Sequence, residues 1–236
     1  MPNYYPIMLD VRNRLALVIG GNTVAAEKAA ALSASGAQVT LLWPTFCEEI
    51  QALARTTTLN LLQKAYEYGD MQGFFVVVSA TTYEPELTER IWQEGQERGQ
   101  LVNIVDVPSR CNFIVPSILR RGQLTISVST EGSSPALAKR IRQQLEHTFP
   151  LAYDQYLRIA ALAREYLRQH GVSYDDRDAY FSKFFTSNIL DLLTKNDMVG
   201  ACATAVQLLH LHNIEISGST FIQAIQQLEA QRESNP

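Results

Sequence analysis

Three stretches of the chain carry residue types whose spacing can do chemistry. In the first, Gly20, Gly21, Asn22, Thr23 and Val24 join an apolar run to an Ala-rich segment. In a dinucleotide-binding turn one glycine makes the bend and a second lets a pyrophosphate approach the backbone. A third small residue lets helix and strand pack closely. Those places fall on Gly20, Asn22 and Ala25. Asn tolerates a positive φ, its amide can donate to a phosphate, and a helix N-terminus favours an anion. The acid that usually holds the ribose, about 20 residues on, is missing: "LLWPTF" stands there, with Trp43, Pro44 and Thr45, and the first acid is Glu48. The turn reads either as a working cofactor site, its ribose held by backbone groups or Thr45, or as a plain strand–helix turn.

The second stretch is "LVNIVDVPSRCNFIVPSI", residues 101–118. Asp106 directly follows an apolar strand, and open α/β sheets bind ligands at the carboxyl ends of their strands. An Asp there can accept or donate a proton or orient a substrate; ahead of Val-Pro it also suits a simple turn. The third is "SVSTEGSSPALAKRIR". Ser129, Thr130, Ser133 and Ser134 run with Gly132 into a helix start, which makes either an anion cradle or an ordinary cap supplied by Ser134. From 107 to 142 the basic residues are Arg110, Arg120, Arg121, Lys139, Arg140 and Arg142, against the single acid Glu131. This local +5 in a chain of net charge -4 suits an acidic partner, or forms a solvated face.

The elements that must position these residues follow from periodicity. Buried-strand runs fall at 15–19, 38–42, 58–62, 74–80 and 101–105, with helical segments at 22–35, from Thr45 (a capping box with Glu48), and at 84–98. Strands alternating with helices predict βαβ units and a mostly parallel, doubly wound sheet. "NFIVPSI" (112–118) and residues 123–129 then predict two strands with a link too short for a crossover, hence antiparallel. Ser134-Pro135 starts a helix. Beyond Phe149 the pattern is helical, at 150–171, 178–194, 197–212 and 219–232.

The bulk composition excludes several classes. A net charge of -4 offers nothing global to nucleic acid. No apolar stretch approaches the roughly 20 residues that cross a bilayer, and the start lacks the pattern of a signal peptide. Cys47, Cys111 and Cys202 are far apart and read as free thiols of a reducing cytoplasm. His210 and His212, two apart, are a poor metal pair, and no metal site is expected.

In order, the motifs "YPIMLDVRNRLALVIGGNTVAAEKAAALSASGAQVT", "VVSATTYEPELTERI" and "VNIVDVPSRCNFIVPSILRRGQLTISVSTEGSSPALAKRIRQQLE" resemble the precorrin-2 dehydrogenase family, the siroheme-synthase N-terminal module and its stand-alone relatives. The most specific part is the order V-D-x-P, F-I-x-P-S-I, S-x-G-x-S-P. The resemblance implies an NAD-binding Rossmann domain (residues 1–113), a dimerisation segment (114–148) and a helical C-terminal domain (149–236) in a cytoplasmic homodimer. It implies NAD-dependent oxidation of precorrin-2, a polycarboxylate tetrapyrrole, to sirohydrochlorin on the way to siroheme or cobalamin. It puts the catalytic aspartate on Asp106 and cofactor contacts on Gly20 to Val24, Pro44, Thr45 and Asn103. It puts the hydroxyl-rich loop on Ser129 and Thr130; with the cradle and basic patch read above, the expected substrate contacts are Ser129, Thr130, Ser133, Ser134 and Arg110. Iron insertion by the same site, or a non-catalytic tetrapyrrole-binding dimer, are the alternative functions. Two departures stand out: Asn22 where the family has a third glycine, and Glu131 where it often has Gly.

Overall fold

The computed structural model describes residues 4–81 and 84–233, so positions 82 and 83 of "VVSATTYEPELTERI" and positions 234–236 lie outside the described residues. The chain divides into two compact units, Met1–Val115 and Pro116–Pro236.

The first unit is built on β1 (Leu15–Ile19), α1 (Thr23–Ala34), β2 (Gln38–Leu42), α2 (Glu48–Thr56), β3 (Leu59–Leu62), β4 (Val76–Ser79), α3 (Pro85–Glu97) and β5 (Leu101–Ile104). The strands form one parallel sheet in the order β3-β2-β1-β4-β5. Its two faces bury alternate residues of the same strands, as the period of two requires. Ala16, Val18, Val39, Leu41, Val76 and Val78 pack with Ala25, Ala26 and Ala29 of α1 and Ile50 of α2. Leu17, Ile19, Leu42, Val77 and Val102 pack with Ile91 of α3 and with Tyr66 and Met71 of the β3–β4 connection. Three alanines on its buried face let α1 lie close to the sheet.

A buried carboxylate gathers donors of the β3–β4 connection. Glu94 of α3 is fully buried. It accepts from the Tyr66 hydroxyl (2.6 Å), the Gly69 and Met71 N–H groups (2.9 and 3.2 Å) and Arg98 Nε (2.8 Å). Burial pushes its pKa up, but these four donors outweigh burial and hold it below the ordinary value.

The second unit holds β6 (Ser117–Arg121) and β7 (Leu124–Val128), an antiparallel pair, followed by α4 (Pro135–Thr148), α5 (Tyr153–Gln169), α6 (Tyr174–Thr186), α7 (Ile189–Thr194), α8 (Met198–His210) and α9 (Gly218–Glu233). The rings of Tyr156, Tyr180, Phe184 and Phe221 form the centre of the helical core.

Three expectations need correction. The first hairpin strand lies later than 112–118. Pro116 lacks the N–H of a paired strand, and Asn112 is bound elsewhere: it accepts from Val102 N–H (2.8 Å), donates to Gln100 O (2.7 Å), and its own N–H donates to Val102 O (3.0 Å). It thereby covers the outer edge of β5. Thr45 does not cap α2; the N-cap is Cys47, without a side-chain bond. The segment 178–194 is two helices starting at Tyr174, capped by Ser173 and broken at Ser187, whose hydroxyl bonds the Phe184 carbonyl (2.7 Å) and competes with helix continuation.

Glu94→Ala should destabilise the protein by about 3 kcal/mol at pH 7, because buried donors lose their acceptor. Since folding lowers the Glu94 pKa, its contribution is complete above the unfolded value of about 4.3 and vanishes as pH falls through the lower folded value. Urea unfolding of wild type and variant across that range checks this; equal stability at pH 7 would refute it.

Candidate active site

The sheet order reverses between β1 and β4: the chain leaves β1 toward β2 and β3, then returns on the other side to β4 and β5. A crevice must open between the outgoing helices at this point, and it is where doubly wound sheets bind ligands. The β1–α1 turn lies on one side of it and the end of β4 on the other.

Gly20 makes the bend, at φ 147°, and a Cβ there would lie 2.7 Å from the Ala80 carbonyl oxygen. Gly21 is equally constrained, since a Cβ would collide with the Thr45 carbonyl and the Trp43 ring. The Cys47 N–H donates to Gly21 O (2.8 Å), docking the β2–α2 loop on the turn. Both glycines are therefore required by neighbouring backbone. Spacing alone could not show this, because the partners Ala80 and Thr45 are far away in sequence.

Asn22 differs from expectation. Its φ is -98°, so no left-handed conformation is involved. Its Oδ1 accepts from Ala25 N–H and its Nδ2 donates to Ala80 O, both at 2.9 Å. The side chain caps α1 and ties the helix start to the end of β4 across the switch point. Among the described residues, the backbone N–H groups of Gly21, Asn22, Thr23 and Val24 have no protein acceptor. Asn22 and Thr23 are exposed, and the first turn of α1 carries no acid. Four successive free donors at the positive end of a helix form an anion site. The residues present fit a dinucleotide pyrophosphate. Pro44 and Thr45 lie exposed on the adjoining loop. No Lys or Arg occurs from Trp43 to Ala54, while Glu48 and Glu49 open α2.

Asn103 lies in β5 with its amide turned along the sheet edge, donating to Phe113 O (3.0 Å) and Cys111 Sγ (3.6 Å). Three residues later Asp106 sits in the turn closed by Val107 N–H to Ile104 O (3.1 Å), at φ 62°. A left-handed Asp is uncommon and costs of order 1 kcal/mol. Its carboxylate is exposed and has no hydrogen-bond or ionic partner among the described residues. Arg110 is paired with Glu89 of α3 (Nε to Oε2, 2.8 Å).

In the second unit, Ser129 Oγ accepts from Glu131 N–H and Thr130 Oγ1 from Ser134 N–H, both at 3.0 Å. Ser134 Oγ caps α4 through Leu137 N–H (3.3 Å). Each of these three hydroxyls keeps its own hydrogen to donate, and Ser133 is exposed beside them. Glu131 holds φ 51° and Gly132 φ 84°, so Glu occupies a backbone conformation that favours glycine. His210 Nε2 lies 3.0 Å from Ile216 O while His212 packs edge-on to Tyr180. Among the described residues no three His, Cys, Asp or Glu side chains converge, and no helix is long and apolar enough to cross a membrane. The three cysteines are unpaired.

Comparison with known proteins places the chain in a family. Residues 7–117 match the family model described as "Putative NAD(P)-binding", and residues 121–148 the model described as "Sirohaem biosynthesis protein central". The siroheme synthase of Zymomonas mobilis is 30% identical over 211 residues, covering 89% of this chain and 45% of that protein. That of Nitrosococcus oceani is 32% identical over 188 residues, covering 80% and 40%. The chain thus spans less than half the length of these curated relatives. A solved structure of "SirC, precorrin-2 dehydrogenase" superposes with a TM-score of 0.70 at 25% identity, covering 95% of this chain and all of that one. The chain belongs to the family of siroheme-synthase N-terminal modules and their stand-alone precorrin-2 dehydrogenase relatives.

Proposed function

We propose that the protein is an NAD-dependent dehydrogenase that oxidises precorrin-2 to sirohydrochlorin. The observation that carries this reading is the row of free N–H groups from Gly21 to Val24 at the switch point of an NAD(P)-binding fold. The nicotinamide supplies the hydride acceptor. The chain's own residues bind, orient and move protons. Gly21, Asn22, Thr23 and Val24 hold the pyrophosphate, with Gly20 shaping the turn. Pro44 and Thr45 flank the adenosine ribose, and Asn103 fixes the β5 edge beside the site. The absence of a cation between residues 43 and 54, together with Glu48 and Glu49, disfavours a 2′-phosphate and supports NAD over NADP.

Asp106 is the group we assign to the proton that leaves the macrocycle with the hydride. Its carboxylate has no partner among the described residues, and the left-handed turn sets its backbone just beyond the carboxyl end of β5. Ser129, Thr130, Ser133 and Ser134 are proposed to donate to carboxylates of the substrate, with the basic residues of 107–142 supplying the attractive field. Arg110 would have to leave Glu89 or act through that pair. The segment 114–148 is proposed to dimerise and 149–236 to form a helical domain, in a cytoplasmic homodimer. A two-stranded sheet leaves both outer edges unpaired and is marginal by itself. Ile118 and Leu137 are exposed apolar residues on the same hairpin and on α4.

Calorimetric titration should show NAD+ binding at least about tenfold tighter than NADP+, the loss expected for a 2′-phosphate facing carboxylates with no cation. Asn22→Gly should lower stability by about 1 kcal/mol and weaken NAD+ roughly fivefold by loosening the turn. Tighter binding in that variant would mean that the Asn22 side chain obstructs the cofactor. Asp106→Asn tolerates the same φ and keeps the shape. It should cut kcat by about 10² to 10⁴ with NAD+ affinity and melting temperature unchanged, and wild-type turnover would remove Asp106 from the chemistry.

A further inference from the structure

The helical unit contains a cleft of about 390 Å³ between α5 and α6, which nothing in the reaction above uses. Its lining is chemically uneven. Arg164 and Arg168 enter from α5, one turn apart. Tyr174, Arg177, Phe181 and Phe185 enter from α6 at a spacing that puts all four on one face. Asp178 is the acid in the lining. Residues 149–236 carry ten acids, seven Lys or Arg, and five arginines. Three of those five arginines line this one cleft, against the acidic balance of their own segment.

Nor are these arginines neutralised by neighbours. Arg177 has no ion-pair partner among the described residues, and Arg168 has only a loose one, 3.8 Å from Glu165, both side chains more than half exposed. The Arg164 guanidinium lies 5.0 Å from the Phe181 ring centroid, which holds it in place by a cation–π contact without using its in-plane donors. Tyr174 and Phe185 stand 76% and 58% exposed at the two ends of the α6 stripe. Large aromatic side chains in water beside unpaired guanidiniums have a common use: the ring faces stack a flat group and the planar forks take its carboxylate or phosphate oxygens.

We propose that the α5–α6 cleft binds a small flat aromatic anion, a conjugated ring system carrying a carboxylate or a phosphate group. The volume suits one ring system of mononucleotide size. The site lies within the helical unit and does not depend on the dehydrogenase reading.

Calorimetry with two probes tests it: naphthalene-2-carboxylate and adenosine 5′-monophosphate, with inorganic phosphate as the anion lacking a ring. At least one probe should bind the full chain while phosphate does not. R177Q and F185A should each weaken it about tenfold. D178N should tighten it severalfold, a gain that misfolding cannot imitate. All three variants should keep wild-type NAD+ affinity. Preference for the carboxylate or for the nucleotide identifies which anion the site is built for. Failure of both probes to bind, or binding that R177Q and F185A leave untouched, overturns the proposal. Adenosine monophosphate displaced by NAD+ and indifferent to the α6 variants would have bound the Gly20–Val24 turn, and counts against it.

Discussion

One side-chain amide sets the shape of the candidate cofactor site. Asn22 caps α1 with its oxygen and reaches across the switch point to the end of β4 with its nitrogen. The two bonds fix the start of the helix relative to the central strands. They also satisfy Ala25 N–H, while the four preceding N–H groups have no acceptor among the described residues. An N-cap side chain covers one of the orphan donors of a helix start; here that donor is Ala25 N–H, and those of Gly21 to Val24 keep no acceptor among the described residues. The glycines then become intelligible. Gly20 and Gly21 are the only residues that let Ala80, Trp43 and Thr45 close so tightly around the turn.

The same economy holds at the other end of the sheet. The outer edge of β5 is covered by Asn112 and by Cys111, whose Sγ accepts from Ile104 N–H at 3.2 Å. Asn103 is drawn into that edge. The chain then turns sharply, and Asp106 takes the left-handed position. Asp106 thereby carries an exposed carboxylate on a left-handed backbone position. Strain of this kind is tolerated where position matters. Glu131, at φ 51° next to Gly132, is a comparable oddity in the second unit, in the one loop that gathers the hydroxyls.

Much of this was legible in the sequence because the parallel sheet obeys strong rules. LALVI, QVTLL and VVVS are apolar on both faces and are buried on both faces. Gly36 ends α1 at φ 83° as a C-terminal glycine should, and Ser134-Pro135 starts α4. What was not legible depends on partners distant along the chain. Nothing near Asn22 announces that its nitrogen finds Ala80, so the sequence suggests a positive φ where the backbone has φ -98°. Nothing near Asn112 announces the edge of β5, so 112–118 resembled a strand. The break at Ser187 is local, but a serine bonding back to a carbonyl and a serine facing solvent look alike in one dimension. The α5–α6 cleft shows only as residues 174, 177, 181 and 185, a helical stripe indistinguishable from core until the exposures of Tyr174 and Phe185 are known.

The most direct test of the account is the backbone itself. Amide proton–nitrogen correlation spectra of the labelled protein, recorded while NAD+ is added, report on each N–H of the turn separately. The account predicts large shifts and slowed solvent exchange at Gly21, Asn22, Thr23 and Val24, with the Asn22 side-chain amide little changed because it stays bound to Ala80. Saturable NAD+ binding that leaves those four amides unmoved, or that shifts the Asn22 side chain instead, would contradict it.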